Sequence, residues 1–405
     1  MKRCLQAFGL AIVVTGYGAA AVAEEINVKL GVLADMSGIF SDIGGAGAAN
    51  ATRMAAEDFM KRPGSENFKV EVVAADAQNK PDVSNAIARQ WLNADGVHAL
   101  VDMPTSAISL SLAPLAKEAN KVALLTASGT SDLTGSACSP NSVHWTYDTW
   151  ALAHGTADAL TREGEKSWFF ITVDFALGHS LQRDATAVIE ANGGEVRGAV
   201  RHPTDTKDFS SYLLQAQATQ AQVIALANAG GDTINAIKQA SEFGIVQAGQ
   251  KLAGMLLFIS DIHSLGLETA QGLLLTTAFY WDLNDETRAF SERYAERNEG
   301  RMPTMNQAGA YSATLAYLEA VKQVGSPEDG AAVVKAMRER GQFDDPLFGQ
   351  TWLREDGRVV HDMHLVEVKS PEESKKPWDY YTVRSTIPAE RAFRPIEEGG
   401  CPLVQ

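Results

Sequence analysis

The sequence predicts an α/β protein made of two doubly wound parallel-sheet lobes that are joined by a hinge of several strands. Strand-like apolar runs alternate with segments of helical period in the first part of the chain, and the same alternation starts again after Trp145. The chain has 405 residues, which is more than one hydrophobic core usually serves. Two similar lobes are therefore the expected organisation.

The first series contains four predicted strands separated by three predicted helices. The strands are Val28–Ala34, Phe68–Ala74, Ala99–Met103 and Val122–Leu125. The helices are Gly45–Met60, Val83–Leu92 and Ala107–Ala119. Alternating strands and helices with short connections predict a parallel sheet that is covered on both faces, with right-handed crossovers.

The second series repeats this arrangement. Its predicted strands are Ser167–Val173, Gly194–Arg201, Val223–Ala227 and Leu252–Ile259, and its predicted helices are Ala151–Arg162, Leu181–Ala191, Phe209–Ala218 and Thr233–Phe243. We therefore expect a second sheet of similar size.

The last part of the chain is predicted to return to both lobes. It is rich in helical segments from Asp285 onward, and Thr351–Val368 is typical of short strands joined by a turn at Asp356-Gly357. If these pieces complete the first sheet and then the second, the chain crosses between the lobes more than once. We assign residues 24–146 and 282–355 to the first lobe, 147–281 and 356–390 to the second, and 391–405 to a tail.

The amino terminus has the pattern of an export signal. A basic start with Lys2 and Arg3 precedes an apolar stretch and then Ala21-Val22-Ala23, which predicts cleavage after Ala23. A membrane-spanning anchor is the alternative, but Thr15 and glycines interrupt the apolar run. The mature protein is expected to be soluble.

The net charge argues against two classes of partner, and the cysteines predict one disulfide. The formal net charge of −15 argues against nucleic acid and anionic lipid as partners. Removal of the signal leaves Cys138 and Cys401, which we expect to form one disulfide that fastens the tail. Two unpaired thiols are the alternative.

The motifs of common enzyme classes are absent from the sequence. It contains no HExxH, GxSxG, GxxxxGK[ST] or CxxC. His361 and His364 are expected to point to opposite faces of a strand, so we predict no metal site. The run of small residues from Gly45 to Asn50 departs from a dinucleotide fingerprint at its sixth position, and a helix start in close contact with its neighbours explains it equally well. No cofactor is expected.

Hydroxyl-rich loops follow two neighbouring strands of the first lobe. Thr105 and Ser106 come after the third strand, and Ser128 and Thr130 come after the fourth. In doubly wound sheets ligands bind at the carboxyl edge, and a helix amino terminus suits a carboxylate. Ordinary helix capping is the alternative for each residue. Two such clusters side by side favour a carboxylate site.

Several segments resemble the type I periplasmic solute-binding proteins of ABC importers, particularly the leucine/isoleucine/valine-binding-protein group. The resemblance extends from Val28 to about Val383. Its most specific pieces are Leu30-Gly31-Val32-Leu33 with Ser37-Gly38, Asp174-Phe175-Ala176-Leu177-Gly178, Asp208-Phe209-Ser210-Ser211 and Ala221-Gln222-Val223-Ile224.

The resemblance implies a bilobed receptor that closes over one small molecule and delivers it to a membrane permease. By position, Thr105, Ser128 and Thr130 match the first-lobe residues that hold the ligand carboxylate in amino-acid-binding members. Tyr147 is similar to a contact on the hinge side, or packs there as a structural aromatic. In the second lobe, the loops at Phe175, at Asn228 to Asp232 and at Ser260-Asp261 are implied to line the opposite wall.

The sequence departs from the amino-acid binders in that wall. Leu177 stands where those proteins have a tyrosine, and the acidic residue that takes the ligand ammonium is Asp261, Asp232 or absent. The aromatic residues near the site loops suit a flat apolar body attached to a carboxylate, with core packing as the alternative for the last three: Phe40, Tyr147, Phe175, Phe258, Tyr280 and Trp281.

Three classes of function follow. The expected one is a periplasmic binding protein, monomeric and without catalytic residues, that captures a branched-chain amino acid or an aromatic acid and docks to an ABC permease in the inner membrane. The second class is a sensor module that presents its closed form to a receptor, and the third is a secreted hydrolase.

Overall fold

The computed structural model describes residues 25–404. The predicted signal segment and its cleavage site after Ala23 lie outside this range. Within it, every helix is too short or too polar to traverse a lipid bilayer.

The first lobe is built on a parallel five-stranded sheet in the order β2-β1-β3-β4-β5. Its strands are β1 (Ile26–Ala34), β2 (Phe68–Asp76), β3 (Ala99–Asp102), β4 (Val122–Leu125) and β5 (Ser142–His144). The helices between them are α1 (Gly45–Met60), α2 (Pro81–Asn93) and α3 (Ser106–Glu118). All four predicted strands are confirmed. The register places Leu30 of β1 beside Val72 of β2 and Ala99 of β3.

The second lobe is built on a parallel four-stranded sheet in the order β7-β6-β8-β9. The chain enters it through α4 (Thr149–Leu152), a π-helical turn at Ala153–Ala157 and α5 (Asp158–Arg162). It continues with β6 (Ser167–Val173), α6 (Ala176–Ala191), β7 (Glu195–His202), α7 (Ser210–Ala218), β8 (Val223–Ala227), α8 (Gly231–Glu242), β9 (Lys251–Gly254), α9 (Ile259–Leu265), α10 (Leu267–Ala270) and β10 (Leu274–Thr277). Every residue of β6 is buried, as expected of a central parallel strand with helices on both faces.

One predicted strand of this lobe is too long. The apolar run from Leu252 to Ile259 was expected to be extended throughout, but β9 ends at Gly254 and Ile259 begins α9. The intervening residues form a buried loop at the edge of the cleft. An apolar run shows that a segment is buried and does not distinguish a strand from a buried loop.

After β10, the chain returns to the first lobe. It forms α11 (Asp285–Glu296), α12 (Met305–Val324), α13 (Gly330–Glu339), β11 (Phe343–Asp345), β12 (Gly349–Leu353), β13 (Val359–Val360), β14 (Met363–Val368), β15 (Tyr381–Ile387) and α14 (Ala389–Ala392). Helix α12 packs against α1 and α13 and is buried along most of its length.

The late strands form sheets of their own, so the expectation that they complete the two parallel sheets is wrong. β11, β12 and β13 make one antiparallel sheet, and β10, β14 and β15 make another. The predicted hairpin turn is confirmed, because Leu353 of β12 pairs with Val359 of β13 and Gly357 adopts φ +85° between them. His361 lies just before β14 rather than in a strand.

Within residues 25–404, the chain passes between the lobes at three places. These are the segment between β5 and α4, the segment between β10 and α11, and His361 with Asp362 between β13 and β14. The boundaries that we assigned to the lobes remain a prediction, and β13 lies on the first-lobe side through its pairing with β12.

A buried polar cluster joins two of these crossings. Arg358 is fully buried, lies 3.5 Å from the carboxylate of Asp148 and donates to the carbonyl oxygen of Tyr147 at 3.2 Å. His361 Nε2 lies 3.1 Å from the carbonyl oxygen of Trp145. Burial lowers the pKa of Arg358 to about 10. The cluster fixes the two crossings relative to each other.

The predicted disulfide is confirmed between Cys138 and Cys401, whose Cα atoms lie 5.7 Å apart across a sequence separation of 263. Hydrogen bonds also hold the tail against the rest of the protein. Arg394 donates to the carbonyl oxygen of Ser131 at 2.9 Å, and Arg354 donates to the carbonyl oxygen of Arg394 at 2.8 Å.

Candidate functional site

A cavity lies between the two lobes, where the carboxyl ends of both parallel sheets face each other. Its walls come from the loops after β1, β3 and β4 in the first lobe and after β6, β8 and β9 in the second. The lining residues are Phe40, Ile43, Gly44, Gly45, Asp102, Pro104, Thr105, Ser106, Ala127, Gly129, Tyr147, Phe175, Leu177, Ala229, Leu256, Phe258 and Asn306. This is the edge at which doubly wound sheets bind ligands.

The lobes touch each other beside the cavity, so the structure shows a closed arrangement. The amide of Gly231 in the second lobe donates to the carbonyl oxygen of Ile39 in the first at 3.3 Å. Elsewhere along the same interface, the hydroxyl oxygens of Thr130 and Ser180 lie 2.7 Å apart. A ligand in the cavity would therefore contact both lobes.

Thr105 and Ser106 are held at the cavity by the start of α3. Thr105 is the N-cap residue, and its Oγ1 accepts a hydrogen bond from the amide of Ile108 at 3.3 Å. The Ser106 Oγ accepts from the amide of Thr130 at 3.1 Å, which ties this loop to the loop after β4. Both hydroxyl groups are thus in fixed positions at a helix amino terminus.

In the part of the chain that the structure describes, four helices begin at the cavity. Gly44 and Gly45 lie at the start of α1, Ser106 at the start of α3, Phe175 at the start of α6 and Asn306 at the start of α12. The first amides of a helix have no partner within it, and the helix dipole makes this end partially positive. Among residues 25–404, no lysine, arginine or histidine lines the cavity. Positive potential at this lining therefore comes from backbone dipoles and not from charged side chains.

Aromatic rings form much of the remaining wall. The rings of Tyr147 and Phe258 meet edge to face at a centroid distance of 5.8 Å, and Phe40 and Phe175 complete the apolar surface. The Tyr147 hydroxyl donates to the carbonyl oxygen of Ala127, so its ring and not its polar atom is available to a ligand. This surface suits a flat or branched apolar group.

Ser128 and Thr130 are not among the lining residues, although the sequence predicted them at the site. The Ser128 hydroxyl is fully buried and donates to backbone carbonyl oxygens of the neighbouring loop, at 2.9 Å to Met103 and 3.1 Å to Thr105. Thr130 contacts the second lobe through Ser180. Both residues support the loops that carry Thr105 and Ser106. A direct role for them in binding stays a prediction.

Two predicted polar residues of the second lobe are engaged within that lobe. Asn228 lies 3.0 Å from His202 Nε2 and accepts from the Thr233 hydroxyl at 2.6 Å. Asp232 accepts from the amides of Asp205 and Thr206 at 3.2 and 2.8 Å. Burial raises the pKa of Asp232 to about 6. Neither residue lines the cavity.

Asp261 and Tyr280 also lie outside the lining. Asp261 caps α9 by accepting from the amide of Phe258 at 2.9 Å, and burial raises its pKa to about 7. The Tyr280 hydroxyl donates to Asp379 at 3.4 Å, and Trp281 donates through Nε1 to the carbonyl oxygen of Trp378 at 2.8 Å. Contact of Asp261 and Tyr280 with a ligand stays a prediction.

Asp102 and Asn306 both line the cavity, but the sequence analysis did not predict either of them as a site residue. Asp102 ends β3 and is fully buried, and its Oδ1 accepts from Asn306 Nδ2 at 3.1 Å. Burial raises the pKa of Asp102 to about 7. Its place at the carboxyl end of a strand was a usable signal. Asn306 lies 204 positions from Asp102 in the sequence, and no local pattern indicated that it belongs to the site.

The comparisons with known proteins agree with this geometry. The model of the family described as periplasmic binding protein matches residues 27–376. Leu/Ile/Val-binding protein homolog 6 of Brucella melitensis is 28% identical over 352 residues, which cover 85% of this chain and 86% of that protein.

Solved structures share the whole fold. A periplasmic binding protein from Burkholderia mallei is 46% identical with a TM-score of 0.89, and the match covers 94% of this chain and 99% of that one. A branched chain amino acid ABC transporter periplasmic ligand-binding protein from Burkholderia xenovorans is 40% identical with a TM-score of 0.82, covering 93% and 99%. A solute binding protein from R. palustris in complex with 4-hydroxybenzoate is 21% identical with a TM-score of 0.81, covering 91% and 98%, and shares the fold alone.

Proposed function

Because this chain belongs to the periplasmic binding protein family, we propose that its cleft captures a small carboxylate, a branched-chain amino acid or an aromatic acid, and delivers it to an ABC permease. The observation that carries this proposal is the cavity between the lobes, where Thr105 and Ser106 stand at a helix amino terminus beside an aromatic wall.

The carboxylate is supported by the electrostatics of the lining. Four helices of the described chain begin at the cavity, and the positive ends of their dipoles favour a negative group. The apolar part of the ligand would lie against the rings of Phe40, Phe175 and Phe258. The names of two relatives, a Leu/Ile/Val-binding protein homolog and a branched chain amino acid ABC transporter protein, agree with a ligand of this class.

The proposed mechanism is a shift between an open and a closed arrangement of the lobes. A ligand that contacts both walls stabilises the closed form by its difference in affinity for the two forms. The permease in the inner membrane would then recognise the closed form. The mature protein, cut after Ala23, would act in the periplasm as a monomer without cofactor or covalent chemistry.

Calorimetric titration of the mature protein tests the ligand class. The probes are L-leucine, L-valine, L-phenylalanine, benzoate and 4-hydroxybenzoate, each with its primary amide as the matched compound that lacks the carboxylate. We expect at least one acid to bind with a negative heat-capacity change, and its amide to bind at least tenfold more weakly. Equal binding of acid and amide, or conversion of the bound acid to a product, would contradict the proposal.

Small-angle scattering tests the closing motion with the ligand found in this way. The radius of gyration is expected to decrease when the ligand is added. Thermal unfolding gives an independent measure, because a ligand at 100 times its dissociation constant adds about 2.7 kcal/mol to the stability of the folded state.

A further inference from the structure

Two buried oxygens at the cavity have no hydrogen-bond donor within the part of the chain that the structure describes. They are Asp102 Oδ2 and Asn306 Oδ1. Both residues line the cavity, and both are at least nine-tenths buried. A buried acceptor without a donor destabilises a folded protein, so such a pair in a ligand cleft calls for a functional explanation.

The two side chains are held in place by their other polar atoms. Asp102 Oδ1 accepts from Asn306 Nδ2 at 3.1 Å and from the Thr126 hydroxyl at 3.4 Å. These bonds use Oδ1 and leave Oδ2 free. The pair therefore forms a preorganised acceptor site that joins the end of β3 to the start of α12.

Gly44 leaves space beside this pair. A Cβ atom at Gly44 would lie 2.9 Å from Asp102 Oδ2 and 2.8 Å from Asn306 Nδ2. Any side chain at this position would cover the carboxylate oxygen. The absence of a side chain keeps the oxygen beside the cavity that Gly44 also lines.

The backbone at Asp102 has an uncommon conformation that fits this placement. Asp102 and Met103 have φ values of +79° and +61°, in a region that residues other than glycine rarely adopt. Such strained conformations concentrate at binding sites. Here the conformation occurs where β3 ends at the cavity.

We propose that Asp102 and Asn306 together accept hydrogen bonds from a proton-donating group of the ligand, a hydroxyl or an ammonium. This inference rests on the proposed function and adds to it that the ligand carries such a group besides its carboxylate. The helix amino termini would hold the carboxylate, and the acceptor pair would select among acids by their second polar group.

Three pairs of compounds test the inference on the mature protein, because the members of each pair differ in the donor group. The pairs are 4-hydroxybenzoate and benzoate, L-phenylalanine and 3-phenylpropionate, and L-leucine and 4-methylpentanoate. In at least one pair the donor-bearing member is expected to bind at least tenfold tighter to the wild type, since a site built to hydrogen-bond a group rejects analogues that lack it. The first pair reports a hydroxyl, and the other two report an ammonium.

The variant Asp102→Asn is expected to remove this preference. Its amide can still accept from Asn306, but it places an N–H group where the ligand donor would lie. Affinity for the donor-bearing member should fall 10- to 100-fold, and affinity for its partner should change less than threefold. Asp345→Asn is the matched control, because Asp345 is buried in the first lobe and bonded to Ser312 away from the cavity. It should retain the preference.

Asn306→Ala is an independent test if Asp102→Asn does not fold. It should also reduce the preference for the donor-bearing member of the pair. Equal affinity of the wild type for both members of every pair would overturn this inference alone, as would an unchanged preference in the Asp102 or Asn306 variant. Failure of the wild type to bind any of the six acids would overturn the proposed function and this inference with it.

Discussion

The wall of the cleft that the first lobe contributes carries hydrogen-bonding side chains, whereas the wall from the second lobe is apolar. The polar lining residues of the first lobe are Asp102, Thr105, Ser106 and Asn306. Within residues 25–404, the second lobe lines the cavity only with apolar residues, which are Phe175, Leu177, Ala229, Leu256 and Phe258. The two walls therefore differ in chemistry, although both lobes are built on the same kind of sheet.

This difference suggests an order of events. The first lobe can orient a ligand by its polar groups while the cleft is open, because these contacts need no help from the other wall. The second lobe then adds affinity by burying apolar surface, which occurs only when the cleft closes. Selectivity for polar groups would lie in the first lobe, and the driving force for closure in the second.

The largest expected effect concerns the connection between the two walls. Arg358→Met removes the partner of the buried Asp148 and leaves its charge uncompensated. We expect the free energy of unfolding to fall by about 3 to 5 kcal/mol, as is typical when one member of a buried ion pair is removed. Denaturant unfolding followed by tryptophan fluorescence measures this.

The matched control is the double variant Asp148→Asn with Arg358→Met. Asparagine at position 148 can still cap α4 through the bond to the amide of Ala151 and carries no charge. The double variant should recover part of the lost stability. A double variant as unstable as the single one would show that packing of the arginine, and not its charge, holds the crossings together.

Truncation of the apolar wall should have the next largest effect. Phe175→Ala removes a ring that faces the cavity. We expect ligand affinity to fall by about 1.5 to 3 kcal/mol, with a less negative heat-capacity change of binding because less apolar surface is buried. Calorimetry measures both quantities.

Phe175→Leu is the control for this change, since leucine keeps most of the apolar volume, and it should lose less affinity than the alanine variant. If Phe175→Ala binds as tightly as the wild type, the second lobe does not supply the apolar driving force.

Thr105→Ala should have a smaller effect, and it acts on the polar wall. The Thr105 hydroxyl accepts a hydrogen bond from the amide of Ile108, so the substitution removes an N-cap as well as a candidate ligand contact. We expect a loss of about 1 kcal/mol in stability from the cap and a similar loss in affinity. Thr105→Ser keeps the hydroxyl and should retain both. Unchanged affinity in a folded Thr105→Ala variant would remove this residue from the site.

The strands of the two parallel sheets were predictable because such strands are buried on both faces and appear as continuous apolar runs. β6 is the clearest case, since all of Ser167–Val173 is buried. β15 was missed because most of its residues are exposed, so it has neither an apolar run nor a buried face that alternates. The loop before α9 was taken for a strand because it is buried at the cleft.

Some site residues were likewise predictable from the sequence, and others were not. Thr105 and Ser106 were predictable because strand ends in a doubly wound sheet lie at one edge. Asp102 and Asn306 come together only through the packing of α12, which no local pattern reports. Asp232 and Asp261 also follow strand ends, but each accepts hydrogen bonds from backbone amides of its own lobe. Position along the sequence did not reveal which way these side chains turn.

The smallest expected effect on ligand affinity is at Asp261, and it tests whether this side chain turns away from the cavity. Burial raises the pKa of Asp261 from 3.8 to about 7, so the folded state holds a proton that the unfolded state has released. The stability from this group is complete below pH 4 and is lost as the pH rises through 7. Asp261→Asn has no such dependence. Relative to the wild type, its stability should rise between pH 4 and pH 7 and level off above pH 7.

Thermal unfolding at a series of pH values measures this difference, and calorimetry on the same samples measures binding. Because Asp261 lies outside the lining, affinity for the ligand should stay within about threefold of the wild type, well under 1.4 kcal/mol. A large loss of affinity in Asp261→Asn, with folding intact, would show that a polar group of the second lobe reaches the ligand. The division of tasks between a polar first wall and an apolar second wall would then be wrong.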